Sequence, residues 1–126
     1  MPWSRSLAEF ADMQEKRLNK ELRATALQAL TGVIERSPVK SGRFRGNNQV
    51  TVGRETDSVL DREDKPGRQT YAEGAAAIGA VTEPFTYIVV QNNLPYAALI
   101  EEGRSKTQAP QGVYALTFNS LKERRR

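Results

Sequence analysis

Residues 7–36 read LAEFADMQEKRLNKELRATALQALTGVIER, and the spacing of their apolar positions decides the fold. Leu7, Ala11, Leu18, Leu22, Ala26, Ala29 and Val33 recur at helical intervals and fall on one stripe. Asp12, Lys16, Lys20 and Arg23 lie on the opposite side. Asp12 precedes Lys16 by four residues, the favourable orientation for a helical ion pair. Ser4 or Ser6 is placed to cap such a helix, and Glu9 stands at the third position after Ser6, as in a capping box. The first half of the stripe is thinly apolar, whereas the second adds Leu27, Leu30 and Ile34 on other faces. The stretch therefore predicts one helix over 7–36, about 45 Å long. Its C-terminal half should be buried and its N-terminal half should reach out over a neighbour. That is long for a chain of 126 residues, and an oligomer is expected.

Ser37-Pro38 ends the helix, because the residue before a proline avoids the helical region. Val39 to Asn48 reads as a basic, turn-rich connection carrying Lys40, Gly42, Arg43, Arg45 and Gly46, and Gln49-Val50-Thr51-Val52 as a short strand. Residues 54–70 mix charges of both signs with Pro66 and Gly67, so a solvated, mobile loop is expected. Ala72 to Val81 suits a helix of small residues. Phe85 to Gln91 is the strongest strand signal, apolar on both faces. Asn92-Asn93 should turn, Tyr96 to Glu102 should make about two helical turns ended by Gly103, and 104–111 should be a polar loop. Val113 to Phe118 alternates as a strand would, and 119–126 closes the chain as a basic tail. The expected class is α+β: a long N-terminal helix packed on a small antiparallel sheet, with one or two short helices, in a single domain.

Composition narrows the function. Hydrophobic residues make up 38% and charged residues 27%, and no apolar run approaches the roughly 20 residues that cross a bilayer. Met1-Pro2-Trp3-Ser4-Arg5-Ser6 enters a charged segment without the apolar stretch of a secretory signal, so synthesis in the cytoplasm is expected. Cysteine and histidine are both absent. That excludes the usual zinc, haem, iron–sulfur, thiol and Ser–His arrangements and leaves carboxylate-only magnesium chemistry open. A net charge of +4 permits contact with nucleic acid or an acidic partner without requiring it.

The candidate chemical motifs are weak. Gly74 and Gly79 have phosphate-loop spacing, but Ala80 and Val81 stand where a lysine and a hydroxyl are needed; close helix packing is the better account. Asp57, Asp61, Glu63 and Asp64 are interleaved with Arg62, Lys65 and Arg68 and match no calcium loop. Glu101 and Glu102, adjacent on a helix, point about 100° apart and cannot share one scissile bond. Tyr71, Tyr87, Tyr96 and Tyr114 sit in apolar context and read as core or interface residues. Lys40, Arg43, Arg45 and Arg124-Arg125-Arg126 could touch phosphates, but no common base-reading motif accompanies them.

One ordered set of motifs remains. After the amphipathic helix come Ser37-Pro38-Val39-Lys40-Ser41-Gly42-Arg43-Phe44-Arg45, Val50-Thr51-Val52-Gly53 and the Ala/Gly-rich segment. Asn92-Asn93-Leu94-Pro95-Tyr96-Ala97, Ile100-Glu101-Glu102-Gly103, Ser105-Lys106 and Ala109-Pro110-Gln111-Gly112 follow. In order and spacing, from Leu7 to Phe118, this resembles the neck and tail-completion (tail-component) proteins of long-tailed bacteriophages. The chain departs from that pattern at Lys40-Ser41, where an acidic residue and threonine are common, and at Glu102 and near Arg104, where aromatics are common. The resemblance implies a structural virion protein without catalysis or cofactor. It implies a homo-oligomeric ring, commonly sixfold, that joins the head connector to the tail tube or terminator, with DNA passing through its lumen. On that reading Leu7, Phe10, Tyr96, Leu99, Glu101 and Glu102 form subunit contacts, and Lys40, Arg43, Arg45, Arg104 and Lys106 face partners or DNA. A tail terminator is a neighbouring structural role. A small basic protein that binds nucleic acid without reading sequence is the alternative of a different class.

Overall fold

The computed structural model describes residues 2–83, 86–97 and 112–124. Within them the elements run α1 (Pro2–Arg36), α2 (Arg43–Gly46), β1 (Asn48–Val52), α3 (Arg68–Gly79), β2 (Ile88–Asn92) and α4 (Tyr114–Arg124). The class is α+β, with the long helix packed against a two-stranded antiparallel sheet and shorter helices.

Helix α1 has 35 residues, about 52 Å at 1.5 Å per residue. It starts at Pro2 and not near Leu7, so Ser4 and Ser6 lie inside it and neither is its cap. Proline suits the first helical turn, where its missing N–H has no partner to lose. The Asp12–Lys16 pair forms at 2.9 Å, and Arg17 meets Glu21 at 3.3 Å. At the other end the buried Ser37 hydroxyl donates to the Val33 carbonyl just before Pro38.

Strand β1 pairs with β2 in the register Asn48↔Asn92, Val50↔Val90 and Val52↔Ile88. Alternation puts those pairs on one face and Gln49, Gln91, Thr51 and Val89 on the other. Val50, Ile88 and Val90 pack on a cluster of Ala26, Leu30, Ile34 and Ile78. A second cluster joins Val33, Phe44, Leu94 and Val113. Helix α3 crosses α1 so closely at Gly74 that a methyl group there would lie 2.5 Å from Leu30 Cδ2. Gly79 has no such neighbour within 4 Å; close packing explains the first glycine and not the second.

The other face of the sheet is crossed by the segment after β1. The Thr56 amide donates to Gln91 Oε1 at 3.0 Å, and Gln91 Nε2 donates back to the Thr56 carbonyl at 2.7 Å. Gln49 Nε2 reaches the Ser58 carbonyl at 2.8 Å. Asn47 brackets Leu60, accepting from its N–H at 2.8 Å and donating to its carbonyl at 3.0 Å. Amide side chains thus substitute for the backbone of a third strand. The charged residues of 54–70 do face solvent at Arg54, Glu55, Asp57 and Asp61, but the backbone beneath them is tied down at these points.

Two expectations fail outright. Val113–Phe118 is not a strand, and 119–124 is not a tail: Tyr114–Arg124 is helix α4, with Val113 just before it. Val113 and Thr117, four residues apart, are buried together. The Thr117 amide and hydroxyl both bond the Val113 carbonyl, at 3.1 and 2.9 Å. Six residues of mixed apolar character fit either period, and packing against α1 selects the helix. Thr117 sits over Gly32, where a methyl would be 2.7 Å from its Cγ2, and accepts from Arg36 Nη1 at 3.2 Å. Ser120 and Leu121 border the same cleft as Leu27 and Gln28, so α4 runs antiparallel to the end of α1. Smaller shifts occur elsewhere. α2 forms inside the expected turn-rich connection, α3 begins at Arg68 and not Ala72, and Asn92 still belongs to β2. Phe85, the body of the expected 96–102 helix, the 104–111 loop, Arg125 and Arg126 lie outside the described residues.

Candidate interaction surfaces

Helix α1 presents two different halves. Leu30, Val33 and Ile34 are 0%, 2% and 7% exposed, whereas Leu7, Phe10, Met13 and Leu18 are 64%, 59%, 65% and 42% exposed. At about 100° per residue, Leu7, Ala11 and Leu18 fall near the azimuth of Gly32 and Arg36, the side that α4 covers farther along. The apolar stripe therefore continues from a face that is packed to a face that is open. No helix among the described residues is long and apolar enough to cross a membrane.

The basic connection after α1 splits into free and spent cations. Lys40 is exposed and Arg43 is partly exposed, its Nη1 3.5 Å from Asp61. Arg45 is different. Its guanidinium donates to the Lys65 carbonyl at 2.7 Å, the Ser37 carbonyl at 3.2 Å and the Glu35 carbonyl at 3.4 Å. Burial pulls its pKa down, while Asp64 and Glu35 push it back up. It clamps the end of α1 to the turn before α3, so its charge serves the fold and does not stand ready for a phosphate.

Among the acidic residues, Asp64 turns inward. Its Oδ2 accepts from the Thr70 amide at 2.8 Å and the Thr70 hydroxyl at 2.7 Å. Burial alone would raise its pKa; the bonds from Thr70 and Gly67 and the nearby Arg62 outweigh it, and the net shift is downward. Gly67 holds the N-cap position without a side chain, so Asp64 satisfies the first-turn amide of Thr70 from outside the helix. Glu73, salt-bridged to Arg62, is lowered by that hydrogen bond first, against burial and with help from Gln69. No group of three acidic residues that could hold a metal ion occurs among the described residues.

Tyr96 is 38% exposed, with its ring 6.2 Å from that of Phe44, so it belongs partly to the core. Leu99, Glu101, Glu102, Arg104 and Lys106 lie outside the described residues. Leu7 and Phe10 share the open face of α1; Lys40 and Arg43 share one turn; the structure does not bring these two groups together.

Sequence reading missed the polar knot that holds these surfaces in place. Buried Asn48 donates to Ser37 Oγ at 2.9 Å and the Arg45 carbonyl at 3.1 Å, and accepts from the Tyr114 hydroxyl at 2.7 Å and from Asn92 Nδ2 at 3.3 Å. One side chain thus ties α1, β1, β2 and α4 together. The doublets Asn47-Asn48 and Asn92-Asn93 were the only signal, and turns explain such doublets equally well. No protein-family model, curated protein or solved structure matches the chain.

Proposed function

We propose that this chain is a structural subunit of a phage head–tail junction, a neck or tail-completion protein that closes into a ring between connector and tail tube. The observation that carries the reading is the open half of α1. An apolar stripe bearing Leu7, Phe10 and Leu18 extends beyond the domain's own core. A helical face in that state gains most by packing on a second copy. The head-to-tail contact that results closes into a ring when its rotation permits. The ordered motifs from Ser37 to Gly112 support the family, and Arg45, Asp64 and Asn48 are spent on holding the fold. Tyr96 and the residues that follow it supply the other side of the contact. A tail-terminator ring would use the same surfaces.

The test is negative-stain imaging with mass determination, on the protein alone and with connector and tail-tube proteins. Discrete rings, lost on Leu7→Asp/Phe10→Asp while the monomer stays folded, are expected. A persistent monomer that ignores those partners and binds duplex DNA would favour the small basic nucleic-acid-binding protein instead.

A further inference from the structure

Two turns of this chain carry the same pattern. Lys40-Ser41-Gly42-Arg43 leads into α2, and Lys65-Pro66-Gly67-Arg68 leads into α3. Both glycines are left-handed, at φ 82°, ψ 0° and φ 79°, ψ 8°, a conformation that costs other residues energy. The two turns thus share one backbone conformation at the glycine that precedes each helix. The turns also touch. The Asp64 amide donates to the Gly42 carbonyl at 3.0 Å, and a methyl on Gly42 would overlap the Lys65 nitrogen. Arg45 fastens the second turn to the end of α1 through the Lys65 and Ser37 carbonyls. Lys40, Lys65 and Arg68 are exposed, and Arg43 partly so. Of the four, Arg43 alone meets a carboxylate among the described residues, the fully solvated Asp61.

We infer that these paired turns form one rigid cationic edge that docks the phosphodiester backbone of nucleic acid. Protein partners are seated by buried aromatic or apolar anchors and disfavour lysine. Between these cations stand Ser41, Gly42, Pro66 and Gly67, and the nearby Phe44 is buried. Nucleic-acid surfaces are instead positive and polar, and Lys and Arg on phosphates fix position without reading sequence. The first turn of α3 is occupied by Asp64, so the edge works through its side chains. Because the turns are already held, little ordering is needed on binding. The inference adds Lys65 and Arg68 to Lys40 and Arg43. It rests on the proposed function for where DNA is met, but not for whether the edge binds it.

Four phosphate contacts predict a slope of about −3.6 for log affinity against log salt on duplex DNA. Fluorescence anisotropy of a labelled random-sequence duplex, titrated at several salt concentrations, measures it. Lys40→Gln/Arg43→Gln and Lys65→Gln/Arg68→Gln should each flatten the slope by about 1.8, and all four together should abolish most of the binding. Lys16→Gln/Lys20→Gln on α1 should leave the slope unchanged, with all variants melting like the parent. Equal losses from the α1 pair would show diffuse charge and overturn the site, as would absence of binding at the lowest salt. Polyglutamate displacing the duplex at a lower charge concentration would point to an acidic protein partner and overturn it too. Ring assembly followed by mass on the same variants keeps the two readings apart, since rings that form without DNA affinity contradict only this one.

Discussion

The two halves of α1 are continuous in backbone and opposite in circumstance. Residues 26–34 meet α3, β1 and β2 on one side and α4 on another, and Leu30, Val33 and Ile34 are closed off from water. Residues 7–18 offer Leu7, Phe10, Met13 and Leu18 to solvent, with ion pairs such as Asp12–Lys16 between their turns. Exposed ion pairs of this kind add only about 0.3–0.5 kcal/mol each, and helices in water depend chiefly on a packed face. The difference teaches that the domain is held by the C-terminal half of its longest element. The remainder is an open arm, the part we propose packs on a second copy.

Mutations can break this contrast. The largest effect belongs to the buried half: Leu30→Ala should cost about 4 kcal/mol, the usual range for a fully buried leucine beside tight packing, read from the urea midpoint. Asn48→Ala should follow at about 2 kcal/mol, because Tyr114, Asn92 and Ser37 lose a shared partner in a buried place. Gly32→Val should cost about 1–2 kcal/mol by forcing α4 off α1 at Thr117. Near-ultraviolet circular dichroism of the tyrosines should shift with it, since Tyr114 begins that helix.

A subtler test concerns pH. Asp64 titrates lower in the folded chain than in the unfolded one, so its contribution is complete above the ordinary aspartate value of about 3.9. It drains away as pH falls through the lower folded value. Thermal melts should show Asp64→Asn less stable than the parent at neutral pH, with the gap closing in acid. The parent alone should carry that part of the acid slope. Smallest of all, Leu7→Ala and Phe10→Ala should change monomer stability by less than about 0.5 kcal/mol, because both side chains are more than half exposed among the described residues.

How much of this was legible follows from the length over which a pattern repeats. Helix α1 repeats its period for nine turns or so, and the position of its buried half could be read from Leu27, Leu30 and Ile34 alone. Strands β1 and β2 announced themselves through Val50, Val52, Val89 and Val90. The segment Val113–Phe118 was too short for its period to be unique, and α4 became visible only when Thr117 was seen over Gly32. The clamp of Arg45 and the knot of Asn48 join separate elements, and Asp64 reaches Thr70 across the Gly67 turn. Their side chains look like ordinary turn and surface chemistry until the fold brings their acceptors within 3 Å or so. For the candidate surfaces, Leu7 and Phe10 were readable as an apolar face. The contact between the Lys40–Arg43 turn and the Lys65–Arg68 turn was not, because it depends on Gly42 meeting the Asp64–Lys65 backbone across the connection.

The most direct measurement is amide hydrogen exchange along α1 as protein concentration is raised and connector and tail-tube proteins are added. Amides of residues 26–34 should be protected throughout. Those of residues 7–18 should exchange quickly in the dilute monomer and become protected as copies assemble, with Leu7→Asp/Phe10→Asp preventing the change. Residues 7–18 that stay equally labile in an assembled ring, or that are already as protected as 26–34 in the monomer, would contradict the account.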